Sequence, residues 1–245
     1  MRKFEICLSL IPKKTSVLVS IDKKFFYDVT DEYLKKFFFK KIQNKQKLYF
    51  WVFNKDIEKC ERCSDNEKIV IQGGIVCFSL ENQKFCFSCI KNYFVFNSVL
   101  RILSSIILCL NNGFLLHSAG IVEDNGCVLY SGKSGSGKST LAKKFDNKKV
   151  LSDELCPVVL INKNIYSWPS MFYSEVRPGF VNNNNLIKIK EIKFLSEIDK
   201  GKIINIKKKE DFIDLLLTNI FWLPKNKFLT QRQINIAEKI AKQFF

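Results

Sequence analysis

The chain has 245 residues, 47% of them hydrophobic and 26% charged, enough to bury one large core or two smaller ones and too apolar for a disordered chain. Its formal net charge of +16 is spread along the whole length, with Lys207-Lys208-Lys209 the only tight run. That spread argues against a nucleic-acid partner, which calls for clustered basic and aromatic residues. Nine cysteines, an odd number, exclude a framework in which every one is paired within the chain.

Met1-Arg2-Lys3 could open a signal peptide, but the apolar stretch after it carries Glu5 and breaks at Pro12-Lys13-Lys14, so a cytoplasmic chain is expected. Apolar or alternating runs then recur at Phe4 to Ile11, Ser16 to Ile21, Lys47 to Phe53, Lys68 to Ile71, Ile75 to Leu80 and Phe85 to Ile90. Turn-forming residues separate them, and together they predict a strand-rich N-terminal lobe over residues 1–92. Two C-x-x-C pairs, Cys60 with Cys63 and Cys86 with Cys89, outline a four-thiolate zinc site. Their spacing is long, and a strand at 86–89 would point the second pair to opposite faces. Free buried thiols are the favoured reading and zinc the rival.

A second lobe, 93–245, begins with a helix from about Tyr93 to Leu110, in which Phe94, Leu100, Leu103, Ile107 and Leu110 recur near helical spacing before Asn111-Asn112-Gly113 stops it. Its most apolar window, Ile102 to Leu110, is too short to cross a bilayer, and no membrane span is expected. Phe114 to Val122 reads as a strand that turns at Glu123-Asp124-Asn125-Gly126 into a second, Gly126 to Tyr130. The segment after it, Gly132-Lys133-Ser134-Gly135-Ser136-Gly137-Lys138-Ser139 followed by Thr140, fits G-x-x-x-x-G-K-[ST] at every fixed position. Glycines let successive backbone N–H groups turn inward around phosphates, and a helix opening at Lys138 and running on through Leu141 to Phe145 adds its dipole. Lys138 is expected to hold the β and γ phosphates of a nucleoside triphosphate, with the Ser139 hydroxyl on Mg²⁺.

Another strand ends at the acidic pair Asp153-Glu154, the position for an acid that orders the metal or takes the acceptor's proton. Which carboxylate does which is open, and either could instead cap the next turn. A hairpin around Asn162-Lys163-Asn164 follows, then an Asn-rich stretch inside a surface loop from Arg177 to Ile189, then helices at roughly Asp211 to Trp222 and Gln231 to Phe244. His117, the only histidine, sits on the strand hairpinned to the one feeding the glycine loop.

The order Leu116-His117-Ser118-Ala119-Gly120, then Gly132 to Thr140, then Leu151-Ser152-Asp153-Glu154 resembles the C-terminal domain of HPr kinase/phosphorylase and its relative, ATP-dependent phosphoenolpyruvate carboxykinase. The resemblance covers about Phe114 to Val159. It implies an α/β fold with a phosphate-loop nucleotide-binding core of that type beside the strand-rich lobe, and places His117 at the reaction centre. It implies that Ser134 to Thr140 bind ATP phosphates, with Asp153 or Glu154 as base or metal ligand. The activity implied is transfer of the γ phosphate to a serine of a protein or peptide. No segment reading L-E-I-R-G follows Asp153; the comparable region is taken as Trp168 to Arg177, with Glu175 a candidate acid and Arg177 a candidate phosphate ligand. The sequence leaves open a scaffold that holds ATP without transfer, a kinase of a small metabolite, the reverse phosphorolysis and homo-oligomerisation.

Overall fold

The structure, a computed structural model, describes residues 3–11, 15–22, 38–39, 47–53, 68–79, 84–90, 92–179, 186–223 and 226–245. The architecture is mixed α/β, and the chain divides into two compact units: 1–104 with 223–226, and 105–222 with 227–245.

In the first unit, β1 (Lys3–Ile11), β2 (Thr15–Asp22), β3 (Phe38–Phe39), β4 (Lys47–Phe53), β5 (Lys68–Ile71), β6 (Gly74–Ser79) and β7 (Lys84–Cys89) form one seven-stranded sheet. Its order is β3-β1-β2-β4-β7-β6-β5, with β4 parallel to both β2 and β7 and the other pairings antiparallel. All six runs read as strands are strands; the two-residue β3 was too short to announce itself. Cys86 and Cys89 lie on β7, while Cys60 and Cys63 fall outside the described residues.

Helix α1 (Tyr93–Leu110) has the bounds its sequence predicts, because both ends are chemically marked. The side chain of Asn92 accepts from the N–H groups of Phe94 and Val95, 2.8 and 3.3 Å, and so satisfies two of the free donors at the N-terminus. At the other end Asn112 takes a left-handed φ of 60°, which asparagine tolerates. The Arg232 guanidinium then donates to the carbonyls of Cys109 and Leu110. The full 18 residues are long and apolar enough to cross a membrane, yet 67% of that window is buried within the protein.

The second unit is organised by β8 (Gly113–Glu123), which hairpins into β9 (Gly126–Ser131) in the expected register, Glu123 opposite Gly126 and Ser118 opposite Ser131. Besides β9, β8 pairs first with β11 (Leu155–Ile161) and then with β10 (Val150–Ser152). Strand β12 (Asn164–Ser167) returns from β11 through Asn162 and Lys163, both at positive φ as a tight hairpin requires. Next comes β13 (Ile187–Phe194), antiparallel to β12 and parallel to β9, so the pairings of this six-stranded sheet return to β8. The surface loop expected as far as Ile189 therefore ends sooner: Ile187, Ile189, Ile192 and Phe194 alternate with charged residues as a half-exposed strand does, with one slip in register between Ile189 and Glu191. Helices α3 (Lys209–Asn219) and α4 (Lys227–Ala241) close the unit, Phe212 of α3 meeting the rings of Phe194, Phe244 and Phe245 at 5.3 to 5.6 Å.

Cys77, Cys109, Cys127 and Cys156 are buried free thiols. Burial pushes Cys109 up to about 11, against the opposing pull of Arg232, and Cys156 up to about 12; Cys127 is raised further by burial and by its neighbours Cys156 and Glu123. Since the thiolate is the nucleophile, Cys109, Cys127 and Cys156 should resist iodoacetamide at pH 8 in the native protein and react once it is unfolded in urea. Peptide mapping that finds any of them alkylated under native conditions would contradict this packing.

Candidate functional site

The Gly132–Ser139 loop is fixed at its start by β8. The N–H of Gly132 and the hydroxyl of Ser131 both donate to the carbonyl of His117, 3.3 and 3.0 Å. Within the loop the N–H of Ser136 donates to the Lys133 carbonyl, and Gly135 and Gly137 take φ of 83° and 94°, backbone that disfavours any side chain. Space at Gly132 is tight: a Cβ there would lie 2.5 Å from Ser136 Oγ, and that hydroxyl would have to move. The Lys138 side chain folds back over the loop, its ammonium donating to the carbonyls of Gly132 and Lys133 at 2.6 Å each. Burial pushes that ammonium below the ordinary lysine range, and the nearby Asp153 and Glu154 carboxylates push it back up.

The helix that follows, α2 (Lys138–Ala142), has five residues and does not reach Phe145. Ala142 docks in a small cluster with Ala119, Ile121, Val150 and Val176, and Phe145 packs against the same cluster from outside the helix. So short a helix has little macrodipole, and binding at this loop rests on its amide groups and lysines.

The bend between β10 and β11 carries the acidic pair, and a buried serine shapes it. Ser152 Oγ accepts from the N–H groups of Glu154 and Leu155 and donates to the Phe172 carbonyl at 2.7 Å. The two carboxylates then part. Asp153, 1% exposed, accepts three backbone N–H groups: Ser174 on Oδ1 at 2.8 Å, and Glu175 and Val176 on Oδ2 at 2.9 and 3.2 Å. Glu154 is half-buried, and its carbonyl is held by the N–H of Ser118. Turn-capping, weighed for the pair as a whole, is thus what Asp153 does, and Glu154 presents the carboxyl that is less enclosed.

One cleft of about 830 Å³ is lined by His117, by the loop residues Lys133, Ser134, Gly135, Gly137, Lys138, Ser139 and Thr140, and by Asp153 and Glu154. Gly132 is buried and Ser136 fully so, which puts them beneath the loop rather than on the cleft wall. The His117 ring is half-buried, 6.3 Å from that of Phe221. Glu175 also lines the cleft and forms an ion pair with Lys143, whereas Arg177 does not line it.

Sequence reasoning passed over Lys144, Ser174, Lys200, Gly201, Thr218 and Asn219, all of which line the same cleft. Lys200 and Gly201 arrive on a hairpin after β13, in which Leu195 bridges to Ile203 and the N–H of Ser196 donates to the Lys202 carbonyl. The signal that could have revealed it is Asp199-Lys200-Gly201, a turn sequence directly after an alternating run. Thr218 and Asn219 come from the end of α3, which reaches β8 where the Phe221 N–H donates to the Leu115 carbonyl.

The donor set fits magnesium carried by a nucleotide: a hydroxyl on Ser139 and a carboxylate on Glu154 are hard oxygen ligands facing one cleft. No protein-family model matches the chain, and the comparison with curated proteins finds no match.

Substitution should separate the two acids. Asp153→Asn puts an amide donor against backbone donors, leaving buried N–H groups unpaired at about 1–3 kcal/mol each, so the melting temperature should fall. Glu154→Gln keeps its size on a half-buried site and should lower it less. Equal melting temperatures for the two variants would contradict the clamp assigned to Asp153.

Proposed function

We propose that the chain is an ATP-dependent serine kinase resembling HPr kinase, built on a phosphate-loop core of that type. The observation that carries the reading is the convergence of Gly132–Ser139, His117 and Glu154 on one cleft. Loop, histidine and acid lie far apart in sequence, and each supplies a part that phosphoryl transfer needs.

The glycine loop receives the phosphate tail, and Lys138, already next to it, exchanges the Gly132 and Lys133 carbonyls for phosphate oxygens. A magnesium ion carried in by the nucleotide would be held by Ser139, with Glu154 as a second ligand where His117 is the base, and would supply charge neutralisation on the phosphates. The serine oxygen of a protein or peptide bonds to the γ phosphorus as the bond to the bridging oxygen breaks. The electron pair leaves with ADP, and the hydroxyl proton passes to Glu154 or, as the rival base, to His117. Most of the acceleration comes from positioning and charge, since the transition state asks for little covalent help.

A second reading, a protein that holds nucleotide without transfer, draws support from Asp153, whose carboxylate is engaged by three backbone amides. Titration with magnesium-ATP and mass-spectrometric detection of phosphate on serine peptides distinguish the two. Wild type should bind and modify peptide; Lys138→Ala should do neither. With Glu154 as the base, Glu154→Gln should keep its nucleotide affinity and lose about 10²–10⁴ in turnover, the usual worth of a general base; with Glu154 on the metal, affinity for magnesium-ATP should fall as well. Nucleotide binding with no modified serine would establish the holding protein, and absence of binding would sink both readings.

A further inference from the structure

We propose that Lys200 is a second phosphate-binding cation of the cleft, delivered by the hairpin after β13 and acting on the phosphate tail of the nucleotide together with Lys138. This rests on the nucleotide-binding reading above and adds to it a residue that lies some sixty positions beyond the motif.

The hairpin is tied to the glycine loop at three points. The Leu195 N–H donates to the Ser131 carbonyl at 2.7 Å, at the start of the loop, and the Gly201 N–H donates to the Ser136 carbonyl at 3.0 Å, near its end. Between them Lys133 pairs with Glu197 at 2.9 Å, although both side chains are about half exposed and the pair contributes little. The approach at the second tie is close: a Cβ on Gly137 would lie 3.1 Å from the Gly201 nitrogen. Lys200 is therefore anchored beside the loop through the residue that follows it.

Four of the other ammonium groups near the loop are committed. Lys133 is held by Glu197, Lys143 by Glu175, Lys202 by Asp199, and Lys138 by two loop carbonyls. Lys200 lines the cleft, and among the described residues its side chain makes no hydrogen bond or ion pair. Lys144 shares that freedom but sits on the turn after α2, without a tie from its segment to Ser131 or Ser136. An uncommitted ammonium has no internal pair to break, so a phosphate oxygen gains a charge-assisted hydrogen bond at the cost only of ordering the side chain. The ligand class is a polyphosphate, because the cation reads phosphate charge and not a base or sugar.

The test compares Lys200→Met, Lys200→Arg and Lys202→Met with wild type, using magnesium-ATP and magnesium-tripolyphosphate as probes. Lys202 is the control: it lies two residues away, carries the same charge and does not line the cleft. Lys200→Met should weaken both probes by the same factor, about tenfold for a charged hydrogen bond, and flatten the salt dependence of binding. Lys200→Arg should restore affinity, and Lys202→Met should bind as wild type does. The proposal is overturned if Lys200→Met binds both probes normally, if it weakens ATP but not tripolyphosphate, or if Lys202→Met weakens them equally. Wild type that binds neither probe would instead bring down the nucleotide reading itself, and this inference with it.

Discussion

Everything at the site depends on the change of partner along one edge of β8. From Gly113 to His117 that edge pairs with β11, and from Gly120 onward with β10. A strand buried on this scale cannot leave its backbone groups unpaired, so the chain joining β10 to β11 must stay against β8 while it bends. Two groups accomplish this: the Ser118 N–H takes the Glu154 carbonyl, and Ser152 Oγ takes the two amides that the bend turns away from the ladder. The acidic pair occupies that bend. Its place beside His117 is thus a consequence of sheet hydrogen bonding, and the opposite edge of the same strand places the glycine loop, whose first N–H ends on the His117 carbonyl.

The charges in the cleft follow from how each group is held. Lys138 is partly desolvated, and its ammonium is stabilised by loop carbonyl oxygens and by the field of Asp153 and Glu154. A phosphate entering the loop would offer full negative charge in place of neutral carbonyls, and a lysine whose ionised form is disfavoured by burial gains the most from that exchange. Asp153 is different: three amides already point at its carboxylate, so it needs no cation to remain buried. Of the two acids in the bend, the one held by three amides is therefore the one less in need of a ligand.

Much of this was legible in the sequence, and the division between what was and was not has a physical basis. The tight turn at Glu123 to Gly126 fixes the register of β8 on β9, so the position of His117 beside the loop can be counted from the turn. The ends of α1 are written in Asn92 and in Asn111-Asn112-Gly113. Features formed by distant partners had no such local mark. Nothing near Asp153 says that the amides of residues some twenty positions on will close around it, nor does the run after Lys138 say that α2 will stop once Ala142 is docked. Strand β13 was readable by alternation, but the Asn-rich residues before it drew attention to the loop.

The two adjacent carboxylates are bound into the structure by different groups. Asp153 acts through the backbone of residues 174–176, and that segment carries Ser174 and Glu175 to the cleft wall. Exchanging its carboxylate for any group that cannot accept from several amides would release the wall as well as the charge. Glu154, one residue on and one methylene longer, is tied to β8 through its backbone carbonyl, and the half-buried residue lines the cleft. The two neighbouring acids are thereby held in different ways, Asp153 by its carboxylate and Glu154 by its backbone carbonyl.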